Sequence, residues 1–401
     1  MSGYRDLLRA PGVARIIAAQ LAARLPSGML ALAVLLHVEH IHHSYGAAGT
    51  VLAATSIGQA VAGPVTSRWM GRWGMRRVLV VTTLVTAAAI AALAVVPAPL
   101  PVTILFGLIA GLASPPVQSA VRTIYPKMVN ASRLTALYSL DASLQEIIWI
   151  AGPVLITFVS TQVSTVVGLL MIVAVTLAGG LWFILSPELG RVRIPRSRRS
   201  LGRVLRTPTV ILTTVLGFLL IGATSAAEAG VVASFGEGAL ESGFILAVFA
   251  VGSFLGGLAF GNIPMTPWSM ARRFAIVTVG IALTLVSLNA WWLGGSLALA
   301  GFGIAPVLAM SFAITSASVK FSETAEAYGW INTGQLIGAA LGSAVAGFMI
   351  DGVGARGAML TSFTFVVVGL IVAAVFVKGF PDLRHRDASP IPDTEPVQTH
   401  P

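Results

Sequence analysis

Twelve stretches of about 20 apolar residues recur along the 401-residue chain, and this recurrence restricts the fold more than any single motif. They run over 13–36, 46–67, 77–97, 101–121, 134–158, 162–185, 208–233, 241–262, 274–293, 295–318, 326–350 and 355–377. In hydrocarbon every backbone N–H and C=O must be satisfied within the protein, so a spanning segment is a helix or a strand of a closed barrel. The runs are continuous and lack the period-two alternation of barrel strands, which predicts helices. With 56% apolar and 10% charged residues and a mean hydropathy of +0.88, the chain has too few charges to cover a water-soluble surface. It has no cysteine, which excludes thiolate catalysis, Fe–S clusters and Cys-based zinc sites. The prediction is an all-α integral membrane protein without a cofactor.

The net charge of +10 is a topology signal. Basic residues gather at one membrane face: Arg5, Arg9 and Arg15, then Arg68, Arg72, Arg76 and Arg77, then Arg122, Lys127 and Arg133. The stretch 187–207 adds Arg191, Arg193, Arg196, Arg198, Arg199, Arg203 and Arg206, and Arg272, Arg273, Lys320, Lys378, Arg384 and Arg386 follow. The opposite face has Arg356 alone, and Arg24 lies inside a span. The positive-inside rule then places both termini in the cytoplasm of a multi-pass protein of the cell membrane. Anionic lipid headgroups, not nucleic acid, are the matching partner for this charge. No small-residue cleavage site follows the first apolar run, which reads as an uncleaved signal anchor. The expected organisation is a six-helix bundle over 1–186, a basic cytoplasmic connector over 187–207, a second bundle over 208–380 and a disordered cytoplasmic tail over 381–401.

The two halves echo one another. Leu8, Arg9, Pro11 and Val13 recur as Leu205, Arg206, Pro208 and Val210, and Arg76-Arg77 recur as Arg272-Arg273. At an offset of 190, Gly111, Pro116, Tyr138, Gln145 and Gly152 correspond to Gly301, Pro306, Tyr328, Gln335 and Gly342. Tyr and Gln are rare inside spans, so this set points to duplication rather than to shared composition. Two parallel repeats of six helices are one architecture of secondary transporters. Over residues 5–380 the chain resembles the Major Facilitator Superfamily. Its loop after the second span is similar to the superfamily motif Gly-x-x-x-Asp-Arg-x-Gly-x-Arg-Arg, matched here by Arg72, Gly74, Arg76 and Arg77, with Ser67 and Gly71 at the Gly and Asp positions. In the family that Asp helps to latch the two halves. Gly152-Pro153 resembles the core of a motif associated with proton-coupled exporters. The stretches 140–146 and 325–330 resemble an actinobacterial group of the superfamily. The resemblance implies two pseudo-symmetric six-helix bundles rocking about a central site.

Ionisable groups at membrane depth are the first functional candidates. Arg24 and Glu146 lie 11 and 12 residues into spans one and five, at similar depth, and are expected to pair, either as a proton-coupling device or as a static ion pair. Asp141, a further proton-coupling candidate or else a capped or water-exposed carboxylate, shares a helix face with Gln145, whereas Glu146 lies about 140° away round the helix. Glu228 in span seven is a further proton or cation site, and Glu326 reads as a carboxylate at a helix N-terminus. Gln20, Gln59, Gln118, Gln145, Trp149, Trp330, Asn332 and Gln335 are the expected polar and aromatic wall of a substrate cavity. The cluster His37, Glu39, His40, His42 and His43 reads as a wet loop with no metal.

Three classes of function compete. A secondary transporter of a small organic molecule, exporting it as a monomer by proton exchange, fits the duplication, and uptake by proton symport is the alternative. A polytopic enzyme requires a catalytic motif such as Gly-x-Ser-x-Gly or His-Glu-x-x-His, which the sequence lacks. A receptor requires a large soluble extension, and both tails are short.

Overall fold

The computed structural model describes residues 2–197, 200–236, 240–261, 263–384 and 386–393. Arg198, Arg199 and residues 394–401 of the expected connector and tail lie outside the described residues.

Among the described residues the twelve expected spans form twelve helices, ten of them long and apolar enough to cross a membrane. In the first bundle they are α1 (Val13–His42), α2 (Tyr45–Trp73), α3 (Met75–Val95), α4 (Leu100–Leu112 continued by Val117–Ile124), α5 (Ala131–Gln162) and α6 (Thr165–Leu185). The second bundle holds α7 (Pro208–Phe235), α8 (Leu240–Phe260), α9 (Ser269–Thr284), α10 (Ala290–Ser318), α11 (Phe321–Val353) and α12 (Ala355–Val375). Side chains cap several helix starts: Ser44 Oγ accepts from Ala47 N and Ser164 Oγ from Val167 N. Three expected boundaries move. Helix α1 continues to His42, so the histidines expected in a loop stand on its last turns. Pro115-Pro116 interrupts α4, because proline removes a backbone donor and clashes with the preceding turn. Helix α9 ends at Thr284, and residues 285–289 form a turn that hydropathy alone merges with the span.

Within the bundles α1 packs on α5 and α6, α2 on α4, α7 on α11 and α12, and α8 on α10. Small residues set these distances where no hydrophobic effect drives association. At Gly111 of α4 an added Cβ would lie 2.1 Å from the Thr55 carbonyl oxygen of α2. At its counterpart Gly301 of α10 the Cβ would lie 2.3 Å from the Phe249 carbonyl oxygen of α8. The duplication also governs hydrogen bonds: Tyr138 donates to the Arg122 carbonyl at 3.3 Å, and Tyr328 to the Phe312 carbonyl at 3.4 Å.

The bundles meet through α2 against α11 and α5 against α8 and α10, whereas α1 and α7 do not form a packed pair among the described residues. The cleft between the bundles is therefore closed towards the face that carries the termini. Residues 381–384 and 386–393, expected to be solvated, dock on this face instead. Leu383 N donates to the Met265 carbonyl, Ile391 N to the Val319 carbonyl, and Asp393 accepts from Ser322. Ala388 is buried in the core. Apolar Leu383, Ala388 and Ile391 interrupt the polar composition, and this gives the segment something to bury.

Candidate functional site

The charged centre of the molecule is a buried cluster on α1, α4 and α5. Arg122 donates through Nε to Asp141 Oδ2 at 2.7 Å, and Arg24 lies 3.6 Å from Asp141 Oδ1. Tyr125 Oη and Gln20 Nε2 each donate to Oδ1 at 3.1 Å. Arg24 donates to Gln20 Oε1 at 2.9 Å and also to Gln145, which accepts from Arg122 at 3.2 Å. Gln118, with its amide oxygen turned to Arg122, accepts from that guanidinium. Four predicted residues, Gln20, Gln118, Asp141 and Gln145, thus converge with Arg24. Asp141 is wholly buried and paired with both arginines.

The expected Arg24–Glu146 pair does not form. Asp141 and Gln145 occupy the face of α5 towards α1 and α4, so Arg24 meets Asp141 instead. Glu146, 140° away, turns to the second bundle and accepts from Ser253 Oγ of α8 at 2.8 Å. Glu228 of α7 is exposed and within electrostatic reach of Glu146. Glu146 thus reaches across the boundary between the bundles to a serine of the second.

Two residues of this machinery escaped the sequence reading. The fourth apolar run ends at 121, so Arg122 reads in the sequence as part of a basic loop, yet its side chain is 1% exposed. The signal for it is the Pro115-Pro116 break, which lets the last turns of α4 pack inward. Ser253 is one small polar residue among many and carries no signal of its own. Of the remaining cavity candidates, Trp149 is exposed one turn beyond Gln145, and Gln59 and Asn332 are half-buried. Gln335 is buried over Gly217 with Nε2 unpartnered among the described residues. Trp330 is corrected from cavity wall to anchor: it packs on Val204, Val210 and Val319 under the connector.

The terminal face is closed by contacts between the bundles. Arg68 of α2 donates to Glu326 Oε2 of α11 at 2.6 Å, and Gly202 N of the connector donates to Oε1 at 2.7 Å. Glu326 is therefore a cross-bundle latch, not merely a carboxylate at a helix start. Tyr138 and Tyr328 share a hydrogen bond at 2.8 Å, and the Arg122 guanidinium stacks 3.5 Å from the centre of the Phe312 ring. At the crossing of α2 and α11 the Gly63 and Gly329 backbones are in direct contact. The motif position Gly71 lies under the connector, where a Cβ would sit 3.2 Å from the Pro195 carbonyl oxygen. In the same loop Arg72 is exposed, Gly74 joins α2 to α3 at φ 89°, Arg76 donates to the Ser186 carbonyl at 3.3 Å, and Arg77 lies beside Trp73. Gly152-Pro153 marks the crossing of α5 over Gly28 of α1. On α1, His37 bonds to Thr165 and to the Leu93 carbonyl, and His42 to Thr103.

Two repeats of six helices, joined by a latch on one face and enclosing ionisable groups at membrane depth, define the class of transporters that work by alternating access. The sequence matches the Major Facilitator Superfamily over residues 16–288 and 225–399. The chain belongs to this superfamily and is a multi-pass membrane transporter, not an enzyme. No curated protein matches the sequence. Among solved structures, a bacterial homologue of the iron transporter ferroportin in the outward-facing state is 14% identical, with a TM-score of 0.74 over 91% of this chain and 99% of the other. The human organic anion transporter MFSD10 is 15% identical, with a TM-score of 0.69 over 90% and 100% of the chains. The E. coli fucose:proton symporter FucP is 16% identical, with a TM-score of 0.68 over 90% and 98%. At these identities the likeness is one of fold.

Proposed function

We propose that the protein is a proton-coupled secondary transporter, exporting a small organic molecule across the cytoplasmic membrane, with both termini in the cytoplasm. The observation that carries this reading is Glu146 of the first bundle, which accepts from Ser253 of the second and has no arginine partner among the described residues. A carboxylate at membrane depth on the boundary between the bundles is placed to carry a proton whose access changes as the bundles rock. When the bundles rock apart the bond to Ser253 breaks and Glu146 exchanges its proton with the other side. Arg24 does not take part in this exchange, since Asp141 holds it. The arginine-rich terminal face supports the orientation, and the Gly152-Pro153 crossing supports export. The bundles 1–186 and 208–380 move as units about the connector in this scheme, as a monomer.

The test starts from an untargeted metabolite comparison of cells lacking and overproducing the protein. Everted vesicles then take up the compounds identified, with and without collapse of the proton gradient. Glu146→Gln is expected to abolish gradient-driven accumulation and to retain passive exchange. Full accumulation by this variant, or accumulation that survives collapse of the gradient, refutes the coupling.

A further inference from the structure

The cluster around Asp141 is unused by proton exchange, and its charges do not balance. Arg24 and Arg122 lie against a single carboxylate, and the neutral Gln20, Gln118, Gln145 and Tyr125 complete their surroundings. Arg24, Arg122 and Asp141 are 8%, 1% and 0% exposed, so the surplus positive charge has little access to water. Glu146 does not supply the missing charge, because it leaves α5 on another face and is held by Ser253. Glu228 forms no ion pair with either arginine among the described residues. A buried charge without a counter-ion is strongly unfavourable, and a bound anion relieves it.

The second bundle shows what lies opposite. At the offsets of the duplication, Arg122 corresponds to Phe312, Asp141 to Ile331 and Arg24 to Ile221. The charged cluster is thus confined to one half of the repeat, and the equivalent wall is apolar. The touching hydroxyls of Tyr138 and Tyr328 mark the pseudo-symmetry axis. Gln145 and Gln335 stand two turns farther along α5 and α11, on the faces that carry those tyrosines. Gln145 is satisfied by the arginines. Gln335, 8% exposed, keeps an Nε2 donor with no partner among the described residues. Trp149, one turn beyond Gln145, is 52% exposed and offers an aromatic surface.

The geometry points to an amphipathic organic anion as the substrate, its carboxylate or sulfonate head drawn to Arg24 and Arg122 and its apolar body lying against Trp149. The inference rests on the transporter reading and names the substrate class for the same cleft. In this arrangement the Gln335 amide closes on the head group from the second bundle, which couples occupancy to bundle approach.

The probes are 1-naphthoate, 1-naphthalenesulfonate, 1-naphthalenemethanol and 1-naphthylmethylammonium, four molecules that share a ring system and differ in charge. Calorimetric titration of the detergent-purified full chain is expected to show the two anions bound about tenfold tighter than the neutral and cationic probes. Arg24→Gln is expected to weaken the anions about tenfold and to leave 1-naphthalenemethanol unchanged. Equal binding of all four probes, tighter binding of the cation, or no binding of either anion by the unmodified protein overturns the assignment. Chloride binding in place of 1-naphthoate also overturns it, because the surplus charge then has an inorganic counter-ion. Counterflow of 1-naphthoate in proteoliposomes separates the two readings. Anion binding without counterflow refutes transport, and counterflow of cationic compounds without anion binding refutes only the substrate class.

Discussion

Glu326→Gln tests the latch on the terminal face. The carboxylate of Glu326, 4% exposed, accepts from Arg68 at 2.6 Å and from Gly202 N at 2.7 Å. Arg68 belongs to the first bundle and Glu326 to the second, so both bonds that converge on this carboxylate must rearrange when the terminal face opens. A hydrogen bond to a charged group contributes about 1.5–3 kcal/mol. The amide keeps the shape and one acceptor but loses the charge, and the closed state should lose about that amount. A difference of 1.4 kcal/mol is a factor of ten, so the population open at this face rises about 10- to 150-fold. The chain contains no cysteine, so Ser67→Cys provides a single reporter thiol. Ser67 is 1% exposed on α2, one turn from the Gly63–Gly329 crossing. Maleimide labelling is then expected to accelerate by the same factor in Glu326→Gln, while Glu241→Gln on exposed α8 leaves the rate unchanged. A rate within twofold of the parent would falsify the latch.

The neighbouring sites give three further expectations. Asp141→Asn leaves two buried guanidinium groups without a carboxylate and is expected to cost about 3–5 kcal/mol. Arg24→Gln is expected to cost less, because Arg122 still holds Asp141, and thermal unfolding midpoints in detergent that reverse this order refute the assigned roles. In Gly329→Ala the new Cβ would sit 2.6 Å from the Gly63 carbonyl oxygen and 2.8 Å from Pro64 Cα. Backbone must yield there, at about 1–3 kcal/mol, and labelling at Ser67→Cys should again accelerate, whereas an unchanged rate shows that α2 and α11 do not bear on each other at this point. Burial pushes the Glu188 carboxyl up, but the hydrogen bond and charge of Arg15 outweigh it and hold the group below its usual value of 4.5. Because the folded value is the lower one, the stabilisation is complete above pH 4.5 and is lost as pH falls through the folded value. The unfolding difference between the native chain and Glu188→Gln should therefore shrink on acidification, and a difference that grows contradicts the pairing.

The sequence by itself determined the spans, the duplication and the asymmetry of charge between the two faces. Each of these is local: a bilayer demands about 20 apolar residues whose backbone satisfies itself, whatever the neighbouring helices are. The tyrosines and glutamines at offset 190 were legible for the same reason, since a repeated register keeps its residue types. What pairs with what was not legible. Asp141 and Glu146 lie at similar depth on one helix, and only the packing of α5 sends the first to Arg24 and Arg122 and the second to Ser253 and Glu228. Arg122 looked like a loop residue until the break at Pro115-Pro116 turned the end of α4 inward. Glu326 reads as a helix-start carboxylate until α11 is set against α2, 258 residues away in the chain. A charge inside a membrane must find its partner on another helix, and which face of which helix comes within 3 Å is decided by tertiary packing alone.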